Sequence, residues 1–135
     1  MAEVGQELNG PGMVLRLVSI SPERLEMEAR YSGEGGMPPM HLHPSQTERF
    51  EVLEGTMVTV IGGAERTYEA GSVFDVPPGT PHQMRAERPS RMRWEVTPAL
   101  RTANFFERMY TAPPSNADEG AAFLEEFSGE FRLVS

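Results

Sequence analysis

Apolar and polar residues alternate with a period of two through much of the first hundred positions. The clearest run is 23–31. There Leu25, Met27, Ala29 and Tyr31 fall on one face, and Arg24, Glu26, Glu28 and Arg30 on the other. Residues 91–96 repeat the pattern, with Met92, Trp94 and Val96 set against Arg91, Arg93 and Glu95. Further strands are expected at 13–20, 48–53, 56–61, 65–68, 72–76 and 82–86. Gly62-Gly63-Ala64 predicts a hairpin, and Pro78-Gly79 suits the centre of a type II turn. Many short strands cut by Gly and Pro predict an all-β sandwich or barrel. After residue 100 the period changes. Residues 102–110 have helical spacing with Phe105, Phe106 and Met109 on one side, 111–120 reads as a polar linker, and 121–127 as a short acidic helix. The expected organisation is a β domain over 1–100 and a helical segment, 101–135, packed on its outside by an apolar stripe.

Composition narrows the chemistry. A chain of 135 residues suits one domain. The net charge of −8 repels phosphate backbones, so nucleic acid is not an expected partner. No apolar stretch reaches the length of a membrane span. Residues 1–10 carry Glu3 and Glu7 without a basic, apolar run, which makes the cytoplasm the expected location. There is no cysteine, so thiolate nucleophiles and thiolate metal ligands are excluded. Every basic residue is arginine. Schiff-base catalysis on lysine is therefore excluded too.

The chain has only three histidines. His41 and His43 flank Leu42, so in an extended strand both point to one side. Glu48 opens the next strand segment, and His82 follows the Pro-Gly turn. Two imidazoles from one strand, a carboxylate close behind and a third imidazole from a distant strand can converge inside a small barrel. Such a donor set suits one divalent ion of Mn, Fe, Co, Ni, Cu or Zn.

Gly35, His41, His43, Glu48 and Gly55, followed by Gly71, Pro77, Gly79 and His82, resemble the two motifs of the cupin superfamily, in particular its small single-domain members. The resemblance implies a double-stranded β-helix, or jelly roll, with a short C-terminal helical appendage. It also implies that His41, His43, Glu48 and His82 are metal ligands. The chain departs from the second motif at Ala86, where an Asn is usual. That removes a polar turn anchor and no ligand.

Strand parity lines the expected pocket with Phe50, Met84, Met92 and Trp94, and leaves Tyr31 as the candidate acid–base group. An apolar pocket beside a metal suits a small, largely apolar ligand or substrate. The expected activity is a metal-dependent dioxygenase. The alternatives are a non-redox isomerase, lyase or cyclase, and a binding module without turnover. A homodimer is expected, with 13–20 as a spare strand available to a neighbour's sheet.

Overall fold

A computed structural model describes residues 2–134; Met1 and Ser135, the outer bounds of the two expected segments, lie outside them. The strands are β1 (Glu7–Gly10), β2 (Met13–Ile20), β3 (Leu25–Tyr31), β4 (His41–Leu42), β5 (Thr47–Glu54), β6 (Thr56–Ile61), β7 (Ala64–Glu69), β8 (Val73–Val76), β9 (His82–Ala86), β10 (Ser90–Thr97) and β11 (Arg132–Leu133). Two helices, α1 (Thr102–Thr111) and α2 (Ala117–Glu126), lie between β10 and β11. A six-stranded sheet has the order β1-β2-β3-β10-β5-β8, and a five-stranded sheet the order β11-β4-β9-β6-β7. Two facing antiparallel sheets with these long crossovers make a double-stranded β-helix.

The period-two pattern becomes the core. Leu25, Met27 and Ala29 of β3 are fully buried, as are Met92 and Val96 of β10. Between β10 and β5, Trp94 stands opposite Phe50 and Met92 opposite Val52, so side chains of like polarity meet across the ladder. The outer face of the same strands carries ion pairs: Arg93 with Glu26, Arg91 with Glu54 and Arg49 with Asp75. Gly55 joins β5 to β6 at positive φ, with the Pro89 carbonyl oxygen 2.6 Å from where a Cβ would stand. A side chain there would push the turn off β10. Gly79 takes φ +73°, as the type II turn before His82 requires.

Three expectations change. The strand 13–20 is not spare: Glu7–Gly10 folds back along it through the Pro11-Gly12 turn and covers that edge. The linker is shorter than expected and α2 begins at Ala117, because Asn116 caps it. Its side-chain oxygen accepts the Glu119 N–H, and the Glu119 carboxylate accepts from the Ser115 N–H and hydroxyl. Finally, the chain after α2 does not stay outside the barrel. It enters the five-stranded sheet as β11, beside β4. Among the described residues no helix is long and apolar enough to cross a membrane.

Candidate metal centre

The histidine corner is assembled by the five-stranded sheet. β4 lies between β9 and β11, and His41 pairs with His82 in register on one side and Leu133 on the other. His43 stands just past the end of β4. Its carbonyl accepts the Gly79 N–H, which ties the first histidine motif to the turn that launches His82. Glu48 comes from the opposite sheet, from β5. His43, Glu48 and His82 are buried, and His41 is half-buried.

Each imidazole is held by its inner nitrogen. Nδ1 of His41 meets the Pro39 carbonyl oxygen at 3.1 Å, that of His43 the Glu130 oxygen at 2.7 Å, and that of His82 the Thr80 oxygen at 2.9 Å. A carbonyl only accepts, so each Nδ1 carries the proton and the neutral ring leaves its Nε2 lone pair bare. One nitrogen from each ring lies within 4.8 Å of the others. Glu48 Oε1 comes within 3.1 Å of His43 Nε2 and 2.9 Å of His82 Nε2. Yet His43 Nε2 and Glu48 Oε1, both fully buried, lack a hydrogen bond. Acceptor atoms that face one another in a dry corner repel unless a cation sits among them. Imidazole nitrogens and a carboxylate oxygen are the donors that first-row divalent metals prefer, so the residues present fit such an ion.

The protonation preferences agree. Burial opposes charge on Glu48, but its contacts with His43 and His82 prevail and hold it at about 2. Burial likewise works against a charged His43, and Glu48 overcomes it, raising His43 above its ordinary value. His41 goes the other way, to about 4, through burial and the proximity of His82. The corner therefore keeps an anionic carboxylate and favours one positive charge beside it.

The expected lining residues divide. Phe50 and Met92 are core residues, with the Phe50 ring between Phe74 and Trp94 at 5.2 Å from each. Met84 is half-buried on β9, on the face of His82. Trp94, expected as an apolar wall, has a polar task as well: its indole N–H donates to Glu48 Oε2 at 2.9 Å. That bond fixes one carboxylate oxygen and turns the other toward the histidines. Tyr31 ends β3, half-buried, with its pKa raised by burial and then by Tyr110 and Glu48. Burial keeps it a neutral phenol.

Sequence reasoning missed two groups. Glu130 supplies the acceptor for His43 from 87 residues away. Phe131 stacks on His41 with ring centroids 4.9 Å apart. Nothing local marks either one. The only signal is the apolar-polar run that follows α2, too short to read as a strand.

The comparisons with known proteins agree with the fold. No curated protein sequence matches the chain. Solved structures do. KdgF from Halomonas sp. is 21% identical over 69% of this chain and 87% of its own, with a TM-score of 0.63. An RmlC-like cupin from Shewanella frigidimarina is 19% identical over 73% and 87%, with a TM-score of 0.66. Pac13, a nucleoside dehydratase from Streptomyces, is 16% identical over 73% and 79%, with a TM-score of 0.60. At these identities the likeness is one of fold. The sequence profile of the cupin domain matches residues 29–98, from the end of β3 past β10 and across all three histidines, and so this chain belongs to the cupin family.

Proposed function

We propose that the protein is a metal-dependent enzyme whose one divalent transition-metal ion is held by His41, His43, Glu48 and His82, and that it acts as a small oxygenase on a largely apolar substrate. The observation that carries the metal reading is the set of three carbonyl-anchored imidazoles facing a carboxylate whose nearest oxygen lacks a hydrogen bond. A metal bound there would supply redox chemistry toward dioxygen and a bound organic substrate, or Lewis acidity if it is redox-silent. The chain's own residues do the rest. Trp94 orients Glu48, the three carbonyls orient the imidazoles, and Met84 and Phe131 offer apolar surface beside them. Tyr31 stays protonated to high pH and can donate a hydrogen bond to a substrate oxygen.

A second reading has its own support. Tyr110 of α1 lies near enough to Tyr31 to raise its pKa, so two neutral phenols stand close to one another. Paired phenols suit proton delivery to a leaving oxygen, and a structural neighbour is a nucleoside dehydratase. A lyase is therefore the alternative.

Elemental analysis followed by oxygen uptake over catechols, flavonoids, diketones and short thiols separates the readings. Iron, copper or manganese near one ion per chain with substrate-dependent uptake supports the oxygenase. Zinc with no uptake supports the lyase. Failure to retain any divalent metal after remetallation defeats both. The proposal includes a cytoplasmic homodimer, and a monomeric mass by light scattering at micromolar concentration contradicts the dimer.

A further inference from the structure

After α2 the chain returns to the histidine corner and meets it from two directions. The Glu130 backbone oxygen accepts from His43 Nδ1 at 2.7 Å. The next residue, Phe131, lays its ring on His41 with the planes 21° apart. Leu133 then pairs with His41 in β11, and the Val134 N–H donates to the Met40 oxygen. Two of the three imidazoles are thus oriented by one short segment.

We infer that residues 130–134 are a working part of the metal centre, and that Arg101 is the positioning residue that sets them. The inference rests on the metal reading given above. Arg101 grips the Glu130 carboxylate at both oxygens, Nε to Oε2 at 3.1 Å and Nη2 to Oε1 at 3.0 Å. Its backbone N–H adds a third bond to Oε2. Nη2 also donates to the Glu126 oxygen at the end of α2, and the guanidinium lies over the Phe127 ring at 4.8 Å. Glu130 is only 4% exposed, and a carboxylate is not buried so deeply without such a partner. A two-pronged grip fixes the side chain in direction as well as distance, and with it the backbone that carries the carbonyl. That carbonyl decides which ring nitrogen of His43 holds the proton. Without it the ring is free to turn or to change tautomer, and Nε2 no longer reliably faces Glu48.

The Phe131 contact extends into a column of rings. His41, Phe131, Phe105 and Phe123 stack in turn at 4.9, 4.8 and 5.2 Å, with interplanar angles of 21°, 26° and 26°. Phe105 belongs to α1 and Phe123 to α2, so both helices back the plane of a candidate ligand. Helices that merely covered the barrel would need only an apolar stripe. They would not need to aim a backbone oxygen and a ring at the histidines.

The test uses the full chain, stripped with chelator and titrated with Co2+, whose visible bands report the coordination sphere. Arg101→Met should weaken Co2+ binding and shift the bands, by no more than the roughly 10- to 100-fold that loss of a ligand's direct outer partner costs. Phe131→Leu should shift the bands with a smaller loss of affinity. Arg93→Ala, on the outer sheet face, should bind as wild type. Coupling is reciprocal, so Co2+ should also slow amide exchange in the wild-type peptide covering 130–134 more than in β7. A folded Arg101→Met with unchanged affinity and bands overturns the inference. If that variant does not fold, wild-type exchange decides: 130–134 unaffected by Co2+ overturns it equally. Wild type that takes up no Co2+ overturns the metal reading itself.

Discussion

Two charged clusters sit on opposite sides of the six-stranded sheet. On the outer face, Arg49, Arg91 and Arg93 pair with Asp75, Glu54, Glu28 and Glu26 along the ladder, and each arginine has a carboxylate within 3.4 Å. On the inner side, Glu48 meets His43 and His82 at similar distances. The outer cluster is complete: opposite charges in water, each satisfied, exchangeable with solvent. The inner cluster is buried and incomplete, for its carboxylate oxygen and one imidazole nitrogen lack hydrogen bonds. Charge density alone therefore does not mark a site. Burial together with an unmet valence does.

The sharpest way to break this contrast is to remove one inner partner. His82→Ala takes away a candidate metal ligand and leaves Glu48 buried with His43 and the Trp94 N–H. Stability should fall by about 3 kcal/mol or more, on the order of 10 °C in melting temperature. Metal occupancy should fall with it. Chelation of the wild type should also lower the melting temperature, because binding free energy at such a site is also folding free energy. Full metal content and an unchanged chelator response in His82→Ala would show that His82 is no ligand.

Trp94→Phe keeps the ring packed on Phe50 and Phe106 but deletes the donor to Glu48. A buried hydrogen bond to a carboxylate is worth about 2 kcal/mol, which denaturant unfolding of the metal-free variant should show. If stability is unchanged, Glu48 is not held by the indole.

A smaller effect should appear in alkali. The chain has no lysine and no cysteine, so tyrosine is the side chain that titrates just above pH 10. Burial raises the pKa of Tyr31 and of Tyr110. The unfolded chain loses these protons first, so their contribution is intact below pH 10 and is lost as pH rises beyond it. Tyr31→Phe should flatten that decline. An equally steep loss in the variant would mean that Tyr31 does not ionise on unfolding there.

The smallest change belongs to the outer face. Arg93→Ala should leave both the melting temperature and metal content almost where they were, since the pairs it makes with Glu26 and Glu51 lie on the solvent-facing side of the sheet, where an ion pair contributes little. A marked loss of metal in Arg93→Ala would erase the distinction between the two clusters.

The sequence carried the barrel well where one strand face is buried. Leu25, Met27 and Ala29 alternate in the chain and are fully buried in the fold, because a pleated strand turns a period of two directly into an inside and an outside. The histidine corner was legible because the chain has only three histidines and their spacing with Glu48 and the turn glycines resembles the cupin motifs. What stayed hidden is non-local. Glu130 looks like any acidic residue in a terminal stretch, and its use depends on a carbonyl that every residue possesses. Trp94 was read by its apolar surface, and its N–H found a carboxylate that the sequence places 46 residues away. Asn116 was readable in principle, since Asn followed by Glu three residues later is a start signal, but Gly120 masked the helix it opens.

Synthesis gives the returning segment a consequence in time. His43 is made 87 residues before the carbonyl that orients it, about 4 to 17 s earlier at ordinary elongation rates of about 5–20 residues per second. Once β10 has emerged the barrel strands can pair, while His43 still lacks its acceptor and His41 its stacked ring. A metal ion that reached the nascent chain then would meet His41 and His82 held by the nearby Pro39 and Thr80 carbonyls, but His43 without its acceptor. The ion that arrives after β11 has docked meets all three held. On the metal reading, the barrel can form first, and the contact that orients His43 is made last.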